Sequence, residues 1–283
     1  MEERNPNHPG EMSTDASVAE RNRHREELNT RKLAVQVLQQ AGVPFLVGGM
    51  YAFAAFTGIY RDTKDLDVHV KPEDAERALR AFEAAGWQTE HHDEGWLYKA
   101  FRGDYFVDII FCSGNGVAEV DDEWFAHARE RELFGERCLV APAEEQMWMR
   151  AFVNERERFD GADFNHLLLR TGPQIDWPRL MRRFERHWEL LLGHLMMFRF
   201  AYPSETHLIP DKVMRELLFR TLESMKAGPR PEKVCRGALI SQAMYTVDVA
   251  EWGFIDGREW DRKEREGERE RNAQSAATPP VTH

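Results

Sequence analysis

The sequence predicts an α/β domain followed by an all-helical domain. Before Pro142, short apolar segments that end at glycine or proline alternate with segments of helical spacing. From Pro142 to Gly253, nearly every segment has the spacing of an amphipathic helix. Alternating strands and helices indicate a sheet covered by helices, and the later change of pattern indicates a second unit. We therefore assign residues 29–142 to the α/β domain and residues 143–256 to the helical domain.

The first half of the α/β domain follows from hydrophobic periodicity. Each predicted strand is short and apolar, and each predicted helix ends near a glycine or begins at a proline. The predicted elements are, in order, a helix at 29–40, a strand at 43–47, a helix at 50–60, a strand at 65–70 and a helix at 72–85.

The second half of the α/β domain centres on a predicted hairpin. Two apolar runs flank Gly103-Asp104, which is typical of a two-residue turn between antiparallel strands. That turn sets a register in which Lys99 lies opposite Asp108. The other predicted elements are a weak strand at 87–92, a helix at 121–130 and a strand at 136–142.

Both ends of the chain are polar and rich in charge. Residues 1–28 and 257–283 have no periodic apolar face, so we expect disordered tails or fraying helices there. The formal net charge is −11. This charge argues against a protein whose affinity comes from a basic groove on extended duplex nucleic acid.

The cysteines and the hydropathy pattern indicate a cytoplasmic protein. The three cysteines are far apart, with neither a disulfide framework nor zinc spacing, as expected in a reducing compartment. The N-terminus lacks a signal sequence, and the most apolar helical segment is too short and too polar to cross a membrane. We expect no membrane partner.

Three carboxylates and a glycine pair form the candidate metal- and phosphate-binding site. Asp65 and Asp67 alternate on one strand and therefore share a face, where two like charges repel unless a cation lies between them. Asp108 lies on a later strand that could be a neighbour. Carboxylate oxygens are suitable ligands for Mg²⁺, and two ions about 4 Å apart can hold the phosphoryl group in place during an in-line displacement. Gly48 and Gly49 precede a helix, so backbone amides can approach phosphate there.

This pattern resembles the nucleotidyltransferase superfamily of the polymerase-β type. Gly48-Gly49, a helix, Asp65-Leu-Asp67 and then Asp108 follow that family's order, with a spacing similar to the nucleotidyltransferase toxins of abortive-infection systems. The resemblance implies a core with a small mixed sheet, followed by helices. It also implies transfer of a nucleoside monophosphate from a nucleoside triphosphate (NTP) to an acceptor hydroxyl, with release of pyrophosphate. Asp65 and Asp67 would bind two Mg²⁺ ions (or Mn²⁺), and Asp108 would bind one ion and help deprotonate the acceptor.

Several neighbouring residues have two open interpretations. A second, weaker similarity to those toxins is Arg150 followed by Asp160-Gly-Ala-Asp163, although the two aspartates are most simply a solvated helix face. His69 shares a face with Asp67 or serves only packing. The candidate nucleotide-binding residues, each with a structural alternative, are Gly48, Gly49, Thr63, Lys64 and Lys99.

The sequence leaves three functions open. The first is an active nucleotidyltransferase whose acceptor is a protein, an RNA or a small molecule such as an antibiotic. One version of this hypothesis is a toxin that is bound by a protein antitoxin. The second is a catalytically silent protein of the same fold that binds a nucleotide or a partner. The third is a helical interaction module to which the α/β part contributes only structure.

Overall fold

A seven-stranded mixed sheet organises the first half of the chain. The computed structural model describes residues 14–277, with the side chains of 25–268 and 271. The strands of this sheet are β1 (Leu46–Val47), β2 (Asp65–His69), β3 (Gln88–Asp93), β4 (Leu97–Arg102), β5 (Tyr105–Ile110), β6 (Arg129–Leu133) and β7 (Glu136–Val140). Their spatial order is β3-β4-β5-β2-β1-β7-β6.

Helices connect these strands and make up most of the second half, which confirms the predicted α/β class with a helical part after it. The helices are α1 (Thr14–Gln40), α2 (Gly49–Thr57), α3 (Pro72–Ala84), α4 (Asp122–Ala126), α5 (Ala143–Ala151), α6 (Gly161–Thr171), α7 (Trp177–Arg183), α8 (Trp188–Ala201), α9 (Asp211–Ala227), α10 (Thr246–Ala250) and α11 (Gly257–Ala277). Two short strands, β8 (Val234–Cys235) and β9 (Ile255–Asp256), pair in parallel.

The register of the sheet brings the candidate carboxylates side by side. β2 runs parallel to β5, and Asp67 lies directly beside Asp108. β4 and β5 form the predicted hairpin, in which Lys99 lies opposite Asp108. Gly103 adopts a φ of +60° in the turn, a conformation that glycine reaches without steric cost. The hairpin prediction is confirmed residue by residue.

Two apolar clusters hold the sheet and the helices together. On one face of the sheet, Leu66 and Val68 pack with residues of α1 and α3. On the other, Phe53 of α2 packs with helices of the second half, and Leu46 belongs to the same cluster. Residues on both sides of Pro142 therefore share one core. The domain boundary at 142 stays a prediction.

Both segments near the chain ends are helical where the structure describes them, which is one of the two alternatives that the sequence leaves open. α1 begins at Thr14 rather than at 29, and α11 occupies much of the segment predicted as a charged tail. Asp261 of α11 is buried, and its Oδ1 lies 3.3 Å from His187 Nε2, a contact that the low hydropathy of this segment does not reveal. Residues 1–13 and 278–283 of the predicted tails lie outside the described residues.

One element differs from its prediction, the helix at 121–130. The helix ends at Ala126, and Arg129–Leu133 forms β6 instead. β6 pairs with β7 across a turn in which Phe134 and Gly135 both have positive φ. Pairing with a neighbouring strand overrides the helical propensity of the REREL segment. Within residues 14–277, no helix has both the length and the apolar character required to cross a bilayer.

Candidate functional site

Asp65, Asp67 and Asp108 form one carboxylate cluster, called here the triad. Asp65 and Asp67 share a face of β2 because side chains alternate along a strand, and the parallel register adds Asp108 of β5. One carboxylate oxygen from each residue lies within 4.8 Å of the others. All three residues are partly exposed, so solvent and solutes can reach the cluster.

Burial and mutual repulsion make the triad costly to ionise. The pKa of Asp67 rises to about 7, first because the fold shields the carboxyl from much of the solvent and then because Asp65 and Asp108 repel its charge. Arg150 and Arg158 oppose this rise. Burial also raises the pKa of Asp108, against the opposing effect of Lys99.

This donor set fits a hard divalent cation. Three carboxylates provide negatively charged oxygens, the ligands that Mg²⁺ prefers, and a cation would offset the repulsion that raises the pKa of Asp67. Lys99 offsets part of the charge, since its Nζ donates to Asp108 Oδ1 at 2.6 Å. Lys99 therefore contacts the triad, and its predicted contact with triphosphate stays a prediction.

The glycine pair lies directly against the triad. Gly49 has a φ of +52°, and a Cβ at this position would lie 1.6 Å from Asp67 Oδ2. A Cβ on Gly48 would lie 2.2 Å from His69 Nε2. The N–H of Gly48 donates to the carbonyl of Asp67 at 2.9 Å. Only glycine fits both positions, and the N-terminus of α2 consequently begins beside the carboxylates.

His69 serves packing in this structure. Its ring is buried and lies 5.0 Å, centroid to centroid, from that of Trp124. Burial lowers the pKa of His69 to about 3, and Arg150 contributes to the same direction. The residue shares a face with Asp67, but it fills the space beneath Gly48. This outcome supports the packing interpretation of the two that the sequence left open.

The loop before β2 is connected to the triad by Thr63. Its Oγ1 donates a hydrogen bond to Asp65 Oδ1. This contact orients a carboxylate, and the role of Thr63 as a nucleotide-binding residue stays a prediction. Lys64 is exposed beside it. Its role as a phosphate ligand stays a prediction.

Arg150 and Asp163 form a largely buried ion pair next to the glycines. Arg150 Nε lies 3.6 Å from Asp163 Oδ2, and Arg150 Nη2 donates to the carbonyl of Gly49 at 3.2 Å. Arg61 binds the same oxygen of Asp163. Both guanidinium groups lie over the ring of Phe53, at 5.2 and 5.4 Å.

The interpretation of Asp163 as a solvated helix face is therefore wrong, because Asp163 is only 6% exposed. Asp160 is held by Arg158 in a two-pronged hydrogen bond at 3.1 and 3.3 Å. Arg61 and Arg158 had no signal in the sequence, since an arginine in a charged run is usually solvated. The helical segment α5–α6 thus contributes charge to the site.

Comparison with known families gives one match over most of the chain. Residues 12–199 match the model of a family described as uncharacterised nucleotidyltransferase. The match includes the glycine pair, the triad and the Arg150–Asp163 pair. No curated protein sequence matches the chain.

Several solved structures are similar to the chain, all at low identity. The antibiotic-resistance factor ANT(2'')-Ia is 14% identical over 60% of this chain and 97% of its own, with a TM-score of 0.44. An antigenic nucleotidyltransferase-like protein from Paracoccidioides brasiliensis is 14% identical over 65% and 92%, with a TM-score of 0.41. The lincosamide antibiotic adenylyltransferase LnuA, bound to lincomycin, is 14% identical over 47% and 90%, with a TM-score of 0.35.

Proposed function

This chain belongs to the family of uncharacterised nucleotidyltransferases, and from that premise we propose that it is a cytoplasmic, Mg²⁺-dependent enzyme. It transfers a nucleoside monophosphate from an NTP to an acceptor hydroxyl and releases pyrophosphate. The observation that carries the proposal is the triad, whose three carboxylate oxygens lie within 4.8 Å of one another beside the N-terminus of α2. A protein, an RNA or a small molecule remains open as acceptor.

In this proposal, Asp65, Asp67 and Asp108 hold the divalent ions. Bound Mg²⁺ would neutralise phosphate charge and lower the pKa of an acceptor hydroxyl. Asp108 accepts the proton of the acceptor hydroxyl, or directs it to solvent. Gly48 and Gly49 leave room for the triphosphate. Its negative charge would be attracted to the N-terminus of α2, which is the positive end of the helix dipole.

We infer the direction of approach of the acceptor from the sheet order. In an in-line displacement, the attacking and leaving oxygens lie on opposite sides of the phosphorus. The glycine pair at the end of β1 would hold the leaving pyrophosphate, so the acceptor approaches from the side of β5 and β4. On that side, Phe101 and Phe106 form a partly exposed aromatic pair, with ring centroids 6.0 Å apart.

Nucleotide binding without transfer is the second candidate, and one observation favours it. The Lys99 ammonium donates to Asp108 Oδ1 at 2.6 Å. It therefore neutralises part of the negative charge of the carboxylate that would bind metal and accept a proton. A silent protein would bind Mg²⁺–NTP but would label no acceptor. A helical interaction module that uses no nucleotide would neither bind Mg²⁺–NTP nor label an acceptor.

The test is transfer of label from each α-labelled NTP, with Mg²⁺, to separated protein, RNA and small-molecule fractions of a cell lysate. We expect one fraction to become labelled with wild-type protein and to remain unlabelled with Asp67→Asn. Asp104→Asn is the matched control, because Asp104 is exposed in the hairpin turn. Equal labelling by wild type and Asp67→Asn would remove the triad from the mechanism, and NTP binding without any label would support the silent candidate.

A further inference from the structure

The segment between α2 and β2 is fixed at several points before it reaches Asp65. Tyr60 Oη lies 3.4 Å from Tyr51 Oη of α2, and Arg61 pairs with Asp163. Thr63 gives the last contact, since its hydroxyl donates to Asp65 Oδ1. The orientation of the Asp65 carboxylate therefore depends on where the backbone of Thr63 lies.

Arg31 of α1 holds that backbone. Its Nη2 donates to the carbonyl of Thr63, and its Nη1 pairs with Glu27 one helical turn earlier. Arg31 is 3% exposed, and its guanidinium lies 5.0 Å from the ring centroid of Tyr51. A buried guanidinium needs such partners, because an unpaired charge removed from water is costly.

Arg31 thus contacts both elements on which the proposed chemistry depends. Tyr51 belongs to α2, the helix whose N-terminus would face the triphosphate, and Thr63 precedes the strand that carries two metal-binding carboxylates. One side chain of α1 joins the phosphate side of the site to its metal side, although no residue of α1 belongs to the triad.

We propose that Arg31 and Thr63 are positioning residues for Asp65, and that α1 in this way sets the affinity of the triad for a divalent cation. The inference rests on the function proposed above. Thr63 donates to Oδ1 of Asp65 and so restricts the orientation of the carboxylate that would bind the cation. Partners that orient a ligand in this way commonly change metal affinity by about 10- to 100-fold when they are removed.

The experiment measures Mn²⁺ binding to the metal-free full-length protein, without nucleotide, from the electron paramagnetic resonance signal of free Mn²⁺. We expect Thr63→Val to weaken Mn²⁺ binding about tenfold while the melting temperature stays close to that of wild type. Thr63→Ser should restore the affinity, because the serine hydroxyl can make the same hydrogen bond. Rescue by serine is not expected if the residue serves only packing.

Arg31→Met tests the second step of the chain of contacts. The variant should also weaken Mn²⁺ binding, and combining it with Thr63→Val should add little, because both changes act on the same carboxylate. Gln39→Met is the matched control on α1, since Gln39 Nε2 donates to the carbonyl of Arg137 at 2.9 Å, away from the triad. If Arg31→Met fails to fold, the comparison of valine with serine at position 63 still decides.

The outcomes separate this inference from the proposed function. Weak or absent Mn²⁺ binding by wild type, unchanged in Asp65→Asn, would overturn the metal site and this inference with it. Binding that is lost in Asp65→Asn but unchanged in Thr63→Val would overturn the positioning role alone. A loss in Thr63→Val that serine does not restore would also overturn it.

Discussion

Asp67→Asn should stabilise the metal-free protein, and the gain should depend on pH. Asparagine keeps the shape of the side chain but removes the charge that burial, Asp65 and Asp108 make unfavourable. Below the unfolded-state pKa of 3.8, the aspartate is protonated in both states and costs nothing. As the pH rises toward about 7, the unfolded state ionises first, so wild type progressively loses stability.

The size of this effect follows from the pKa of Asp67. A difference between 3.8 and about 7 corresponds to about 4 kcal/mol of unfolding free energy above pH 7. This is an upper bound, since Asp65 and Asp108 can take up protons in place of Asp67. In a chain of this size, a gain of a few kcal/mol raises the melting temperature by about 5 to 10 °C.

The assay is thermal or urea unfolding between pH 5 and 8.5 with a chelator present, repeated with excess Mg²⁺. The advantage of Asp67→Asn over wild type should grow with pH in chelator and shrink when Mg²⁺ is added. Asp104→Asn, a change of an exposed carboxylate, should show neither trend. Equal stability of wild type and Asp67→Asn at pH 8 without metal, or a constant difference at every pH, would refute the electrostatic reasoning.

Two further changes test the glycine pair and a buried ion pair of the helical part. Gly49→Ala should abolish Mn²⁺ binding and lower the melting temperature, because the added Cβ would collide with Asp67 Oδ2. Gly42→Ala is the control, since Gly42 also has a positive φ, +63°, but has open space around it. That control should lose only about 1 kcal/mol of unfolding free energy through backbone strain. Arg179→Met should lower the free energy of unfolding by about 3 kcal/mol, because it removes the arginine that pairs with Glu144 and with the fully buried Glu145, and leaves Glu145 with Arg183 as its remaining ion-pair partner. A loss below about 1 kcal/mol in chemical unfolding would contradict the second prediction.

The parts of the site that the sequence predicted are those fixed by local rules. Alternation along one strand places Asp65 and Asp67 on a common face, and a two-residue turn at Gly103 sets Asp108 opposite Lys99. Each of these arguments uses residues within about ten positions of one another. The two local patterns, together with the resemblance, are enough to nominate the triad before the strand order is known.

The parts that the sequence did not predict depend on contacts between distant segments. The place of β2 beside β5 is a parallel pairing, and no turn determines its register. Arg61 meets Asp163, and Arg31 meets Thr63, only because helices from three regions pack around one corner of the sheet. The same charged residue types are solvated elsewhere on the chain, so composition alone does not distinguish them.

The balance of charge around the triad explains why a cation and a nucleotide should bind together. The cations nearest the triad are already engaged: Lys99 by Asp108, and Arg150 by Asp163. These cations reduce the free-energy cost of ionising the carboxylates without cancelling it, since the pKa of Asp67 is still raised. A triphosphate that approached the metal-free site would therefore meet net negative charge. A divalent cation removes this repulsion and gives both partners a common ligand, so binding of an NTP should be tight only when Mg²⁺ is present.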